Sequence, residues 1–306
     1  MSTKVAIVTG SNKGIGLAIV EGLLKSFEGV VYLTARDVGR GQEAVKLLNE
    51  KGLKPKFHQL DISDKSSIEA MREHVVKTHG GIDILVNNAG MAFKNAATEP
   101  MHVQAKQTIA VNYFGTKEAC EILFPVLKDG ARVVNVSSSA GFLGNIPSQD
   151  LKTKFASSDT TLHADELDRL MNDFITACEE GDHNEKGWPN STYVVSKVGL
   201  SALTRIQNRE MQNMRGKADI EINHVHPGYV SSQNCYNCSC KIIHYFSLFQ
   251  VDTDMTSHKG HLTPEQGAFA PLKLALSPPN SGVTGRYFWY TGEEIDWVHG
   301  QIPGRR

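Results

Sequence analysis

The sequence has no long hydrophobic run and almost no net charge. Its apolar stretches, such as residues 5–8 and 84–86, are far shorter than the roughly 18 residues of a membrane-spanning helix. The 32 Lys and Arg residues nearly balance the 33 Asp and Glu residues, so no surface for nucleic acid or an acidic membrane is indicated. A strand-like run begins at residue 5, and we expect no cleaved signal peptide. These features predict a soluble cytoplasmic protein.

Cysteine is scarce, and histidine forms no ligand pattern. The five cysteines are an odd number, which favours reduced thiols over a disulfide framework. Cys235, Cys238 and Cys240 lie close together, but they lack the matched second pair that a zinc site of this type needs. The twelve histidines include no H-x-x-x-H pair on a helix with an acidic residue. We therefore predict no metal site.

The sequence does contain a regular alternation of strand and helix patterns. Strands are predicted at residues 4–8, 30–34, 57–60, 84–86 and 132–136, and helices at 15–26, 41–51, 66–79 and about 102–127. Nearly continuous apolar strands separated by helices are typical of a parallel sheet covered on both faces. We predict an α/β fold with one catalytic domain over residues 1–306, and ligands beyond the carboxyl ends of the strands.

Two segments interrupt this alternation. Residues 141–190 are polar, with a helix predicted at 165–180 and a turn at Gly187-Trp188-Pro189. Residues 231–251 are rich in Ser, Asn, Cys, Phe and Ile and contain no carboxylate. We interpret both segments as insertions into the single domain.

The first predicted strand leads into a glycine-rich loop. Residues 9–16 read Thr-Gly-Ser-Asn-Lys-Gly-Ile-Gly and open directly into a helix. Glycines let the backbone approach a pyrophosphate at the positive N-terminus of that helix. The residues predicted to bind a dinucleotide here are Gly10, Asn12, Lys13, Gly14, Ile15 and Gly16.

The end of the second predicted strand bears on the choice between NAD and NADP. An acidic residue there would bind the ribose 2′-hydroxyl, whereas an arginine accommodates a 2′-phosphate. Here Ala35 is followed by Arg36, and Lys13 adds a cation in the glycine loop. Asp37 comes one residue later and can point away from the ribose. We predict NADP(H) as the cofactor.

Four further residues form a predicted catalytic group. Tyr193 and Lys197 share one face of a helix, and a nearby ammonium stabilises a tyrosinate. Tyr193 could then give a proton to a carbonyl oxygen while a nicotinamide delivers hydride to its carbon. Ser138 could donate a hydrogen bond to the same oxygen, and Asn112 could hold a water that links Lys197 to solvent.

With these motifs the sequence resembles the short-chain dehydrogenase/reductase family over essentially its whole length. The motifs that match are residues 9–16, 87–90, Asn112, Ser138, Tyr193 with Lys197, and 226–228. The resemblance implies a Rossmann-type, doubly wound parallel sheet of about seven strands with flanking helices. It also implies that Asp61 and Ile62 contact the adenine. Further contacts with the cofactor are implied for Asn88, Gly90, Tyr193, Lys197, Val230 and Thr253.

Within that family the sequence looks like the NADPH-dependent carbonyl reductases. The similarity lies in residues 33–37 and 57–61, the turn at 187–189, and the 55-residue interval from Ser138 to Tyr193. Those enzymes reduce quinones, aldehydes and ketones, and the long interval covers the surface that other members use to oligomerise. The resemblance therefore implies a monomer that reduces small carbonyl compounds.

Some positions depart from the pattern of that group. Ser138, Ala140 and Tyr229 are predicted to line the substrate, but different residues are expected at the last two positions. Val225-His226 replaces a cysteine pair. The identity of the carbonyl substrate therefore stays open.

Two other functions also remain open. One is a cofactor-binding protein without turnover, disabled by residues 231–251. The other is a hydroxysteroid-type dehydrogenase that works mainly in the oxidative direction. Lys13 and Arg36 disfavour this second alternative, because the NADPH they are expected to bind is used for reduction.

Residues 231–251 separate Val230 from Asp252, which the family joins directly. The codons of Val230-Ser231 can read GTAAGT and those of Phe249-Gln250 can read TTTCAG, which are the consensus sequences of the two splice sites. We hypothesise a retained intron or an unusual splice form. An evolved lid over the substrate cleft is the alternative.

Overall fold

The computed structural model describes residues 3–94, 96–214, 219–228, 262–278 and 280–303. Strands and helices alternate through most of this chain. The strands are β1 (Val5–Val8), β2 (Val30–Ala35), β3 (Lys56–Gln59), β4 (Ile82–Asn87), β5 (Leu127–Val136), β6 (Glu221–Val225), β7 (Tyr287–Phe288) and β8 (Glu294–Ile295). The α-helices are α1 (Gly14–Ser26), α2 (Val38–Glu50), α3 (Lys65–His79), α4 (Met101–Ile109), α5 (Thr116–Leu123), α6 (Gln149–Ala156), α7 (Ala164–Glu180), α8 (Thr192–Asn213) and α9 (Pro264–Ala275).

The eight strands found in the described residues form one sheet, in the order β3-β2-β1-β4-β5-β6-β7-β8. Neighbours from β3 to β7 are parallel, and β8 pairs with β7 in the antiparallel direction. The chain runs outward from β1 to β3 and then returns to β4 on the other side of β1. This reversal opens a crevice at the carboxyl ends of β1 and β4. The predicted doubly wound sheet is confirmed. With the short edge strand β8, the sheet in the described residues has eight strands, where about seven were expected.

The central strands are buried on both faces, as their continuous apolar sequences predict. In β1, Ala6 and Val8 pack with residues of α1, α2 and α9. Val5 and Ile7 pack on the opposite face with residues of α3 and α5. Successive side chains of a strand point to opposite faces, so each strand contributes to two hydrophobic layers.

The first insertion, residues 141–190, folds against the domain through α6 and α7. The ring of Trp188 lies 6.2 Å from that of Phe155 and 5.3 Å from that of Phe174, between ring centroids. Helix α7 packs against α4 and α8. Asp168 of α7 accepts hydrogen bonds from the Tyr113 hydroxyl at 2.8 Å and from Lys117 Nζ at 2.7 Å. An apolar core and this partly buried polar contact both hold the insertion in place.

The structure corrects the long helix that was predicted at about 102–127. The segment consists of α4, a π-helical turn at Ala110–Gly115, α5, and a 3₁₀ turn at Phe124–Val126. Pro125 ends the helix early, because it lacks an N–H donor and disfavours helical geometry in the preceding residue. Strand β5 therefore begins at Leu127, five residues before the predicted start.

In the part of the chain that the structure describes, no helix combines the length and the apolar character needed to cross a membrane. The second predicted insertion, residues 231–251, lies outside the described residues, as do Tyr229, Val230 and Thr253.

Candidate active site

Three predicted motifs meet at one edge of the sheet. The glycine loop follows β1, residues 88–90 follow β4, and residues 137–141 follow β5, and these three strands are neighbours in the sheet. Helix α8 packs against the turn at 139–141. The topology thus brings together side chains that are far apart in the sequence.

Thr9 and Asn88 join the first two of these loops. The hydroxyl oxygen of Thr9 accepts hydrogen bonds from the backbone N–H groups of Asn88 and Ala89, both at 3.0 Å. The side-chain amide of Asn88 donates to the backbone oxygens of Thr9 and Gly10, also at 3.0 Å. These reciprocal bonds fix the glycine loop on the end of β4. Asn88 therefore shapes the candidate cofactor site whether or not it touches a ligand itself.

Two glycines of the loop are required by close packing. Gly10 has φ +59°, and a Cβ there would lie 2.8 Å from Cα of Ala89. A Cβ on Gly16 would collide with the side-chain nitrogen of Asn88 and would lie 2.8 Å from the backbone oxygen of Gly10. The loop is therefore packed closely on the end of β4, and it leads directly into α1, which begins at Gly14. That end of a helix carries partial positive charge and suits a phosphate group.

The residues after β2 comprise an exposed arginine and an aspartate that caps the next helix. Arg36 is exposed at the end of the strand. The Asp37 carboxylate accepts a hydrogen bond from the backbone N–H of Arg40 at 2.8 Å and so caps α2. Its negative charge is directed to the N-terminus of α2, in agreement with the expectation that Asp37 can point away from the ribose.

Arg40 is a candidate residue that the sequence analysis missed. It lines the same cavity as Asn12, Lys13 and Gly14. The signal that could have found it is the helix start: Asp37 as N-cap places Arg40 in the first turn of α2, next to the strand end. Lys13 and Arg40 thus line one cavity, and Arg36 adds an exposed cation at the end of β2.

Asp61 and Ile62 follow β3 at the same edge. One carboxylate oxygen of Asp61 accepts hydrogen bonds from the backbone N–H of Ser63 at 2.9 Å and from its hydroxyl at 2.6 Å. Ile62 is buried, and a Cβ on Gly115 would lie 2.8 Å from its backbone oxygen. Asp61 thus holds its own turn, and the predicted adenine contact of both residues stays a prediction.

Asn112 lies in the π-helical turn between α4 and α5 and is buried. Its side-chain nitrogen donates to the backbone oxygen of Met91 at 2.8 Å and to the Ser196 hydroxyl at 3.0 Å. Its side-chain oxygen accepts from the backbone N–H of Met91 at 2.7 Å. Since π turns are frequent at functional sites, this irregularity agrees with the predicted role. An amide oxygen can accept two hydrogen bonds, so the predicted water contact fits this side chain.

Lys197 is buried, and its Nζ atom donates to the backbone oxygen of Val136 at 2.9 Å. The same Nζ lies 5.8 Å from the centre of the Tyr193 ring. Burial lowers the pKa of the Lys197 amine to about 8. A Cβ on Gly90 would lie 3.6 Å from Nζ and 3.1 Å from the side-chain oxygen of Asn112. Gly90 therefore leaves room between these two groups.

Ser138 begins the turn that follows β5. Its hydroxyl oxygen accepts from the backbone N–H of Ala140 at 3.1 Å, so its own proton remains a donor. The preceding residue, Ser137, donates to the backbone oxygen of Lys197 at 3.3 Å. The turn is therefore fixed directly on α8, beside the residues predicted to act with Ser138. The substrate position predicted for Ala140 lies in this same turn.

Within the described ranges, no group of three or more His, Cys, Asp and Glu side chains could hold a metal ion. The Cys235–Cys240 cluster lies outside those ranges. Tyr229, Val230 and Thr253 also lie outside them, so their predicted contacts stay predictions.

Comparison with known proteins identifies the family. The profile described as short chain dehydrogenase matches residues 4–149. The chain is 45% identical over 279 residues to carbonyl reductase (NADPH) 1 of Homo sapiens, covering 90% of this chain and 92% of that protein. The Pongo abelii protein of that name gives the same identity and coverage. The chain belongs to the short-chain dehydrogenase/reductase family.

Among solved structures, this dehydrogenase is similar to salutaridine reductase from Papaver somniferum. The TM-score is 0.78 at 28% identity, and the match covers 94% of this chain and 99% of that one.

Proposed function

We propose that this short-chain dehydrogenase reduces small carbonyl compounds to alcohols with NADPH. The relatives at 45% identity are named as NADPH carbonyl reductases. The observation that carries the proposal is the position of the buried Lys197 amine. It donates to the backbone oxygen of Val136, two residues before Ser138, and Lys197 follows Tyr193 by one turn of α8. That arrangement suits proton transfer to a carbonyl oxygen at this edge of the sheet.

The residues of the crevice fit a bound NADPH. The glycine loop leads directly into α1, and open space remains at Gly14, where a pyrophosphate can lie at the N-terminus of that helix. Lys13, Arg36 and Arg40 supply the cations for a 2′-phosphate. When bound, the nicotinamide supplies the hydride that adds to the carbonyl carbon.

The side chains near α8 provide the proton and the polar contacts. Tyr193 donates its phenolic proton to the carbonyl oxygen, and the Ser138 hydroxyl donates a hydrogen bond to that oxygen as negative charge develops. Lys197, with a pKa of about 8, is mainly cationic at pH 7 and stabilises the tyrosinate that remains. Asn112 fixes the backbone of Met91 and accepts a hydrogen bond from a water through which the tyrosinate is reprotonated.

We also propose that the protein is a cytoplasmic monomer with one catalytic domain over residues 1–306. Helix α7 packs against α4 and α8 and covers the helices that lie beside the site. The tryptophan of the insertion, Trp188, is buried against Phe155 of α6 and Phe174 of α7. A surface occupied in this way by the chain itself is closed to a second copy. The nearly balanced charge gives no support for binding to nucleic acid or to an acidic membrane.

The test is reduction of a panel of quinones and diketones by Tyr193→Phe and Ser138→Ala. Tyr193→Phe should abolish NADPH oxidation and leave the Kd of NADPH nearly unchanged, because only the proton is lost. Tyr32→Phe is the control, since the Tyr32 hydroxyl contacts His74 and His79 of α3. A fully active Tyr193→Phe variant would refute the proposed acid. An inactive wild-type chain that still binds NADPH would favour a cofactor-binding protein without turnover.

A further inference from the structure

The peptide group between Ser138 and Ser139 is held by two side chains from neighbouring strands. The Tyr287 hydroxyl donates to its carbonyl oxygen, that of Ser138, at 2.8 Å. The Nδ1 atom of His226 accepts from its N–H, that of Ser139, at 2.9 Å. Both polar atoms of one peptide group therefore have a side-chain partner. This peptide immediately follows the residue proposed to contact the carbonyl oxygen.

The sheet places these two side chains opposite the turn. Strand β6 lies between β5 and β7, and the backbone of His226 extends the β6–β7 pairing by donating to Phe288 O at 2.8 Å. On the other side, Ser137 N donates to Val225 O at 2.8 Å and so pairs the end of β5 with β6. Tyr287 and His226 thus reach the turn from strands whose register is fixed.

Both side chains are buried and restrained by neighbouring rings. The Tyr287 ring lies 4.9 Å from the ring of His224, and the His226 ring lies 4.3 Å from that of Trp289. Burial lowers the pKa of His226 to about 3, so its imidazole is neutral at physiological pH. Since Nδ1 accepts a hydrogen bond, the ring proton lies on Nε2.

The turn that begins with this peptide restrains the Ser138 hydroxyl, because the Ala140 N–H donates to the hydroxyl oxygen at 3.1 Å. The backbone oxygen of Ser138 also accepts a hydrogen bond from the backbone N–H of Gly141 at 2.8 Å, which closes the turn. A rotation of the peptide would break the hydrogen bonds to Tyr287 and His226 together. Positioned donors stabilise developing charge only when their geometry is kept.

We propose that Tyr287 and His226 are positioning residues that fix the Ser138 hydroxyl by clamping the peptide that follows it. The proposal rests on the proposed role of Ser138 in carbonyl reduction. Neither residue acts on the substrate; each acts through the turn at 138–141.

The test compares substitutions that remove one hydrogen bond with substitutions that keep it. Tyr287→Phe removes only the hydroxyl, and His226→Leu removes the acceptor. His226→Asn keeps an acceptor, since its side-chain oxygen takes the place of Nδ1. We expect Tyr287→Phe and His226→Leu each to lower kcat about 5- to 10-fold, with the Kd of NADPH unchanged, and His226→Asn to recover most of the loss.

A second comparison separates positioning from general damage to the fold. In a Ser138→Ala background the clamp has no hydroxyl to position, so Tyr287→Phe should cause no further loss of kcat. Equal losses in both backgrounds, or equal activity of His226→Leu and His226→Asn, would overturn the clamp. If Ser138→Ala alone is fully active, the proposed role of Ser138 fails. If Ser138→Ala is impaired and Tyr287→Phe is not, only the clamp fails.

Discussion

The ammonium nitrogen of Lys197 donates a hydrogen bond to the backbone oxygen of Val136 at 2.9 Å from a buried position. Burial penalises the charged form of an amine, and it lowers the pKa of Lys197 from 10.5 to about 8. In the unfolded chain the same amine keeps its ordinary pKa. The charged amine is therefore less favourable in the folded protein than in the unfolded chain.

This difference predicts that Lys197 makes stability rise with pH in the alkaline range. Below about pH 8 both states are protonated, and the full burial cost of the charge is present. Between about pH 8 and 10.5 the folded state has lost the proton while the unfolded state still holds it, so stability rises. The gain should reach about 3 kcal/mol. It is measured as the free energy of unfolding of the cofactor-free protein relative to Lys197→Met.

The comparison should be made in a Tyr193→Phe background, so that titration of the neighbouring phenol does not contribute. Groups elsewhere titrate equally in both chains and cancel in the difference. A difference in unfolding free energy that does not change from pH 7 to pH 10.5 would show that the Lys197 amine keeps an ordinary pKa in the folded protein.

A second prediction concerns the choice of coenzyme. Arg36→Ala and Arg40→Ala should each weaken NADPH binding far more than NADH binding, because only NADPH carries the 2′-phosphate. Loss of one charge-assisted hydrogen bond costs about 1.5–3 kcal/mol, or roughly 10- to 150-fold in Kd. Both Kd values can be measured by fluorescence titration. The cap of α2 is retained in Arg40→Ala, because Asp37 binds the backbone N–H of that residue.

Arg72→Ala is a suitable control, since Arg72 is an exposed arginine of α3. It should leave both coenzyme affinities unchanged. Equal weakening of NADPH and NADH by the Arg36 and Arg40 variants would remove the argument that these cations select the 2′-phosphate.

Much of the fold could be predicted because it depends on local pattern. Apolar runs such as Val5–Val8 and residues 84–86 are typical of buried strands, and the helix patterns between them favoured parallel connections. Helix α7 was predicted to within one residue of its observed start. The interruption of the predicted 102–127 helix by a π turn lies at a tertiary contact, where Gly115 packs against the backbone of Ile62.

The candidate site could be predicted as a set of residues, but its geometry could not. Tyr193 and Lys197 are one turn apart in sequence, so their shared face was evident. Arg40 was missed because its place depends on where α2 begins. The contacts of Tyr287 and His226 with the Ser138–Ser139 peptide depend on the pairing of distant strands, for which the sequence carries no local signal.

A third prediction concerns the insertion that contains α7. The wild-type protein should have the mass of a monomer in light scattering at micromolar concentration. Asp168→Ala should lower the free energy of unfolding by about 1–2 kcal/mol, because Tyr113 and Lys117 lose their partly buried acceptor. Asp165→Ala on the same helix removes only an exposed ion pair with Arg169 and should change stability by less than about 0.5 kcal/mol. A dimer or tetramer mass for the wild type would refute the proposed monomer.

The last prediction concerns residues 231–251, which lie outside the described residues. Loop-closure entropy grows slowly with length, so an insertion of 21 residues need not unfold the domain. It separates Val230 from Thr253, however, and both are predicted to bind the cofactor. It also adds the apolar residues Ile242, Ile243, Tyr245, Phe246, Leu248 and Phe249. A chain in which Val230 is joined directly to Asp252 should therefore bind NADPH more tightly and be more soluble.

The measurement is kcat/KM for one quinone and the soluble yield, for the full chain and the deletion variant side by side. Tyr193→Phe in both chains checks that the activity belongs to the proposed site. A retained intron predicts that the deletion variant is better on both counts, and that genomic DNA has splice boundaries at Val230-Ser231 and Phe249-Gln250. If the deletion variant is no better on either count, or the genomic sequence has no boundary there, the splice hypothesis fails. A higher KM in the deletion variant would then favour a lid, because a segment that covers the cleft contributes to substrate binding.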